Sequence, residues 1–320
     1  MELLQKPADA GYPAEYLLSR IRGRRSGLIR DWKRLIYDAS LFEASSLPKM
    51  GGLKAKSPDG VWASLMKEYR WVYGQMNMQL RRTFGPFFLY SELRTLIICL
   101  RRLPDRKAGV LDELLNRSLL SDEMKQVLFL STDLQTAVSG IERMFAPLGK
   151  KAPGLGSILE TDGLRGVEQR LIEWYLAETV ASGLDPLLKL FFSRLIDARN
   201  IMSIYQYLRL EIKTVPPLIP GGMVPEARLL GIAKGGDLIA VGSLTEELTG
   251  VPVERPDPTL VELALYRGIT RWLKKAGRDP FGVAPILDYL WRCSIEAMNF
   301  SVLYYGRDLE REAVSAELVQ

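Results

Sequence analysis

Ser91-Glu92-Leu93-Arg94-Thr95-Leu96, Asn200-Ile201-Met202-Ser203-Ile204 and Asn299-Phe300-Ser301-Val302 read as three versions of one helix. Aligned on Glu92, Asn200 and Asn299, each continues with a large apolar residue (Leu93, Ile201, Phe300). A Thr or Ser follows (Thr95, Ser203, Ser301), then another apolar residue (Leu96, Ile204, Val302). The copies recur roughly every hundred residues, the mark of a supersecondary unit used three times.

Working outward, the resemblance extends upstream. Gly183-Leu184-Asp185-Pro186 precedes the second copy and Gly277-Arg278-Asp279-Pro280 the third, with Phe84-Gly85-Pro86-Phe87 in the corresponding place before the first. Each reads as a Gly/Pro turn between an aromatic-bearing helix and the repeated helix, because proline after a turn presets the backbone and lacks only a donor the helix does not use. Around the second copy, Leu187, Phe191, Leu195, Ala198, Ile201, Met202, Tyr205 and Leu208 step by three or four, a stripe of helical period. Ser121 before Asp122-Glu123 predicts a capped helix start, and Val224-Pro225-Glu226 a start with proline in the first turn.

Proline and glycine cluster at Ala146–Gly154, Val215–Gly222 and Val251–Pro258, which predicts loops between helical units. Strand signals are few. Leu238-Ile239-Ala240-Val241 reads as a helix turn or a lone extended piece. The expected class is all-α, in three modules over residues 1–115, 116–216 and 217–320, the first carrying a basic N-terminal helix.

Composition narrows the function. No apolar run approaches the ~20 residues of a membrane-spanning helix, and the opening Met1-Glu2-Leu3-Leu4-Gln5-Lys6 lacks the apolar core of a secretion signal, so a cytoplasmic protein is expected. Cys99 and Cys293 sit in apolar helical strings and read as buried thiols. The chain has no histidine, which removes Ser-His-Asp and Cys-His catalysis and histidine-containing zinc sites. Phosphate-binding glycine loops are missing too: Gly149-Lys150-Lys151 and Gly154-Leu155-Gly156 lack the residues such loops need. No cofactor or metal is expected.

The net charge of +5 concentrates at Arg20, Arg22, Arg24, Arg25 and Arg30, with Lys33 and Arg34 following. Leu17, Ile21, Leu28, Trp32 and Leu35 alternate with these residues at helical spacing, so the cations form the outer side of an amphipathic helix. Within the repeated helices, Asp197 and Asn200 stand at i, i+3, as do Glu296 and Asn299, so each pair shares a face. Two roles fit them. They tie the helix to a neighbouring loop through side-chain to backbone bonds, or they line a polar inner surface that meets a partner.

These patterns together resemble the C/AC39 family of V-type ATPase subunits, in the manner of a divergent bacterial member. Gly11-Tyr12 leading into Ser19-Arg20-Ile21-Arg22-Gly23-Arg24-Arg25 is similar to the family's opening tyrosine and arginine-rich helix. Ile196-Asp197-Ala198-Arg199-Asn200-Ile201 through Leu208-Arg209 is similar to its acidic-x-x-Asn-Ile helix ending in Leu-Arg. Ile219-Pro220-Gly221-Gly222 resembles its Pro-Gly-Gly turn, and Glu296-Ala297-Met298-Asn299-Phe300 with Gly306 its C-terminal helix. The first copy places Leu89 and Glu92 where the acidic and Asn residues fall, and the third has Asp308 in the place of Arg209.

The resemblance implies a funnel of three pseudo-threefold-related modules on the cytoplasmic face of the inner membrane. It implies a rotor component without an active site, joining a proteolipid (c/K) ring to the central shaft and transmitting torque for proton or sodium transport. Glu92, Asn200 and Asn299 would shape the funnel interior, Asp197, Glu296 and Arg209 would define the modules, and Arg20, Arg22, Arg24 and Arg25 would seat partners. An all-α basic scaffold binding nucleic acid or regulatory proteins is the alternative, and an enzyme using paired carboxylates a third.

Overall fold

The computed structural model describes residues 3–7, 10–29, 31–37, 57–104, 110–254, 256–279 and 282–319. Arg30 of the basic cluster and Pro280 of the third turn lie outside them. The helices, in order, are α1 (Ala14–Arg25), α2 (Trp32–Tyr37), α3 (Pro58–Gln75), α4 (Met78–Arg102), α5 (Val110–Arg117), α6 (Asp122–Leu130) and α7 (Leu134–Phe145). After a 3-10 turn at Ala146–Leu148 come α8 (Leu155–Ala181), α9 (Pro186–Arg209), α10 (Glu226–Gly235), α11 (Leu238–Thr249), α12 (Pro258–Ala276), α13 (Ala284–Tyr305) and α14 (Arg311–Ala316). Among the described residues the fold is all-α, and Leu4 and Leu120 form an isolated antiparallel bridge.

Two compact units emerge from the backbone. One comprises Met1–Gly11, Tyr73–Ile196 and Ile219–Gly221; the other Tyr12–Val72, Asp197–Leu218 and Gly222–Gln320. In the first unit α4 is the central element. Asn77 starts it by accepting from the Leu80 N–H at 2.9 Å, and Phe84, Phe87, Phe88, Leu93, Leu96, Cys99 and Leu100 are buried along it. The expected turn at Phe84–Phe87 is therefore inside a continuous helix, with Pro86 in its third turn. Burial of the flanking phenylalanines outweighs the single backbone hydrogen bond that Pro86 cannot donate. The turn lies earlier, at Met76–Asn77. There Gly11, at φ 75°, approaches so closely that a Cβ would stand 2.1 Å from the Met76 carbonyl oxygen, so no other residue fits.

At 25 residues α4 is also long enough to span a bilayer, with a mean hydropathy of 1.2 over its most apolar window, which the apolar-run expectation overlooked. That window is 56% buried inside the protein, and α4 carries Glu92 at 0% exposure. A core helix passes the same test. Around α4, rings of Phe87, Phe191 and Phe192 meet at centroid distances of 5.8 and 5.4 Å, and Phe145 meets Trp174 at 6.1 Å.

The second unit is built around α13, which is buried on nearly every face. Trp32 of α2 packs edge-on against Phe300 at 5.6 Å. A separate apolar cluster joins Ile201, Ile204 and Tyr205 of α9 to Leu229, Val241, Leu244, Val261 and Leu265. Residues 238–241, read as a turn or an extended piece, open the regular helix α11, whose Asp237 accepts from the Ile239 N–H at 2.8 Å. Helix α9 ends in a Schellman turn: the Ile212 N–H reaches the Tyr207 carbonyl at 3.0 Å and the Glu211 N–H that of Leu208 at 3.1 Å. The left-handed position is Glu211, at φ 53°.

The expected helix starts at Ser121 and Pro225 are both present. Ser121 Oγ accepts from the Met124 N–H at 3.3 Å, and Pro225 immediately precedes α10. The turn at Gly183–Pro186 separates α8 from α9 as expected, with Asp185 accepting from the Leu187 N–H at 2.9 Å.

Candidate functional site

Backbone N–H groups just ahead of a helix have no partner within it and need an acceptor. In each repeated helix a buried carboxylate supplies one. Glu92 Oε1 accepts from the Leu119 N–H at 2.5 Å, three residues before α6 begins. Asp197 accepts from Met223 at 3.0 Å and Val224 at 3.1 Å, just before α10. Glu296 Oε1 accepts from Ile29 at 2.5 Å, three residues before α2. The three side chains are 0%, 4% and 3% exposed, so each is a fastening inside its own unit.

This geometry moves the alignment of the first copy by one helical turn. Glu92 corresponds to Asp197 and Glu296, not to Asn200 and Asn299, and Thr95 takes the asparagine place. In the corrected register Leu96, Ile201 and Phe300 coincide and are all buried, at 0%, 1% and 5% exposure. The acidic residue that the first copy lacked at Leu89 is therefore present as Glu92. The third carboxylate differs in one respect: its short helix comes from the beginning of the chain, 267 residues away.

The asparagines are buried as well, Asn200 at 2% and Asn299 at 1% exposure. Asn299 holds the C-terminal segment with both ends of its amide: Nδ2 donates to the Val319 carbonyl at 2.8 Å, and Oδ1 accepts from the Val319 N–H at 3.0 Å. Removing the amide strands both groups of Val319 in a buried site. Asn299→Ala is thus expected to cost about 1–3 kcal/mol in urea denaturation and to speed carboxypeptidase removal of the last residues.

The basic helix divides in two. Arg20 and Arg22 are exposed, Arg20 donating to Tyr16 Oη at 2.8 Å. Arg24 and Arg25 are half-buried and point inward. Arg24 Nη1 reaches both Glu68 oxygens at 3.0 and 2.7 Å, and its guanidinium lies 3.6 Å from the centre of the Trp71 ring. Glu68 also accepts from Tyr289 Oη at 2.7 Å. Arg25 Nη2 meets Asp288 at 2.5 Å and its Nη1 meets the Gly277 carbonyl at 3.3 Å. Arg209 is exposed at the end of α9.

Glu68 and Asp288, at 3% and 0% exposure, complete this network, and reading the sequence did not single them out. Each shares its helix with another acid, Asp59 in α3 and Glu296 in α13, and the one available signal was an acid at an otherwise core-facing position.

Burial sets the electrostatics here. It pushes the Glu296 carboxyl up to about 7, only partly offset by the Ile29 N–H and Arg292. Asp288 is also raised, its loss of water outweighing Arg25, Arg292 and Lys274. Burial raises Cys99 to about 12 and Cys293 well above the ordinary thiol range, so both are held as thiols rather than nucleophilic thiolates. Among the described residues no three His, Cys, Asp or Glu side chains are grouped so as to hold a metal ion. The arrangement as a whole fastens helices to one another. Its carboxylates accept from backbone donors and arginines.

Residues 61–312 match the family model described as ATP synthase (C/AC39) subunit, a span containing all three fastening carboxylates. No individual curated protein matches the sequence.

Proposed function

The chain belongs to the ATP synthase (C/AC39) subunit family, and we propose that it is the non-catalytic rotor component that seats the central shaft on the proteolipid ring. The observation that carries this reading is the family match running through Glu92, Asp197 and Glu296. A part that transmits torque must not yield between its own helices. Buried charge-assisted bonds from a long helix to the start of a short one resist such yielding, because each resists displacement at an atom that water cannot reach.

On this reading three modules, residues 1–115, 116–216 and 217–320, are arranged as a pseudo-threefold funnel and tied one to the next by Glu92 to Leu119, Asp197 to Met223 and Glu296 to Ile29. The third of these ties returns to the first module, just ahead of α2. The protein sits on the cytoplasmic face of the membrane, held through the ring, and couples ATP-driven rotation to proton or sodium movement. The partner-facing cations of the first helix are Arg20 and Arg22. Arg24 and Arg25 are committed to Glu68 and Asp288, which also leaves less free positive charge for a nucleic acid.

The reading is tested by deleting the gene in a host that depends on this ATPase. ATP hydrolysis by the soluble head is expected to persist while ATP-driven ion pumping by membrane vesicles falls to background. Restoring the chain with Arg20→Glu and Arg22→Glu together is expected to weaken its co-purification with the ring. Normal pumping without the chain overturns the proposal. Salt-dependent binding of the purified chain to generic RNA or DNA, with no affinity for ring or shaft, favours the nucleic-acid scaffold instead.

A further inference from the structure

A cleft of about 620 Å³ opens in the first unit, within the ~300–1,000 Å³ range of small-molecule sites. Its apolar lining includes Leu3, Leu89, Pro86 and Trp174, and its cations are Lys6, Arg81 and Arg82. Among the described residues one carboxylate faces them, Glu178, and its Oε2 already accepts from the Lys150 N–H at 3.1 Å. Arg81 is fixed in the wall by donating to the Tyr73 and Gly74 carbonyls at 3.4 and 3.2 Å. Arg82 is exposed at the opening beside Met78, which is 65% exposed.

Two backbone features sharpen the site. Gly85 lines the cleft, and a Cβ added there meets nothing within 4 Å, so the helix surface is bare where the space is. Pro86 has no N–H, so the Arg82 carbonyl one turn earlier loses its helical donor on the same stretch of wall. An apolar trough with excess positive charge at its opening matches a molecule with a hydrocarbon body and an anionic head. A purely apolar occupant makes no use of that charge, and a small inorganic anion leaves the trough empty.

We propose that this cleft is a binding site for an anionic amphiphile, its chain lying along Leu89 and Pro86 and its head meeting Arg81 and Arg82. The site is independent of the rotor reading and of the fastening carboxylates. A free fatty acid and an anionic phospholipid share this chemistry, and the test separates them.

Isothermal titration of the full chain with dodecanoate is expected to show saturable binding at one site with a negative heat-capacity change. Dodecanol is expected to bind at least about tenfold more weakly, and Arg82→Glu to weaken dodecanoate by a similar factor, the loss expected of one charge-assisted contact. Gly85→Trp is expected to abolish binding by filling the trough, with both variants melting as the parent does. Should Gly85→Trp fail to fold, Gly85→Leu serves the same purpose. Co-sedimentation with phosphatidylglycerol but not phosphatidylcholine vesicles, reversed by dodecanoate, identifies the headgroup source. Dodecanoate binding without co-sedimentation identifies the free acid. Non-saturable binding, equal affinity for dodecanol, or indifference to both substitutions overturns the proposal.

Discussion

Asp197→Ala is expected to destabilise the protein by about 3 kcal/mol, a large share of the ~5–15 kcal/mol that holds a typical domain together. Asp197 is 4% exposed, and its two oxygens accept from Met223 and Val224, the second of these N–H groups buried. Alanine leaves that donor without its acceptor and frees the start of α10 from the helix that carries it. Asp197→Asn keeps an acceptor for one N–H but presents an amide donor to the other, so an intermediate loss is expected. Urea denaturation followed by far-ultraviolet circular dichroism measures both. A midpoint for Asp197→Ala within error of the parent shows that these bonds contribute nothing net. An exposed acid in the first turn of the same helix, Glu226, provides the control, with Glu226→Ala expected to shift stability by less than about 0.5 kcal/mol.

The second large effect is on pH dependence. Glu296 has its carboxyl raised from 4.5 to about 7 by burial. The folded protein therefore binds a proton there that the unfolded chain, near 4.5, releases sooner. A group raised in this way contributes stability that is fully present below about 4.5 and lost as pH rises through about 7. The shift corresponds to roughly 3 kcal/mol between the two limits, so the urea midpoint is expected to fall as pH rises from about 4.5 to 7 and to level off above it. Asp288 and Glu262 are raised by the same cause and act in the same direction. Glu123, Asp133 and Glu247, held below their ordinary values by hydrogen bonds, act in the opposite sense, but only in acid below that window. Glu296→Gln keeps an acceptor for Ile29 and cannot ionise, so its midpoint should be flatter over this range and higher than the parent's at pH 8. An unchanged slope in Glu296→Gln rules out this carboxyl as the source.

The all-α class and several helix boundaries were legible in the sequence because they rest on local rules. Ser121 caps, Pro225 starts and Gly183–Pro186 turns according to chemistry confined to a few residues. Pro86 shows where local rules lose. Its turn signal is genuine, but Phe84, Phe87 and Phe88 bury enough apolar surface to carry the helix through it. The register of the first repeat was misread for a related reason. Glu92 is interchangeable with Asn by position, and only its bond to Leu119, 27 residues on, assigns it to the acidic place. Glu68 and Asp288 were invisible because their partners, Arg24 and Arg25, lie 44 and 263 residues away, and no periodicity links such distances. The cleft escaped notice because the N-terminal segment, α4 and α8 supply its wall from three separate parts of the chain.

The contacts of Arg25 with Asp288 and of Ile29 with Glu296 have a consequence for the order of synthesis. A chain emerging from the ribosome generally folds its N-terminal parts first. Most of the first unit lies within Tyr73–Ile196 and can close while translation continues. The arginine helix, although made before it, must wait. Its acceptors Asp288 and Glu296 follow Arg25 and Ile29 by 263 and 267 residues, so a segment made early settles late. A nascent chain stalled before α13 would carry Arg25 without its carboxylate partner, while Arg24 could already reach Glu68.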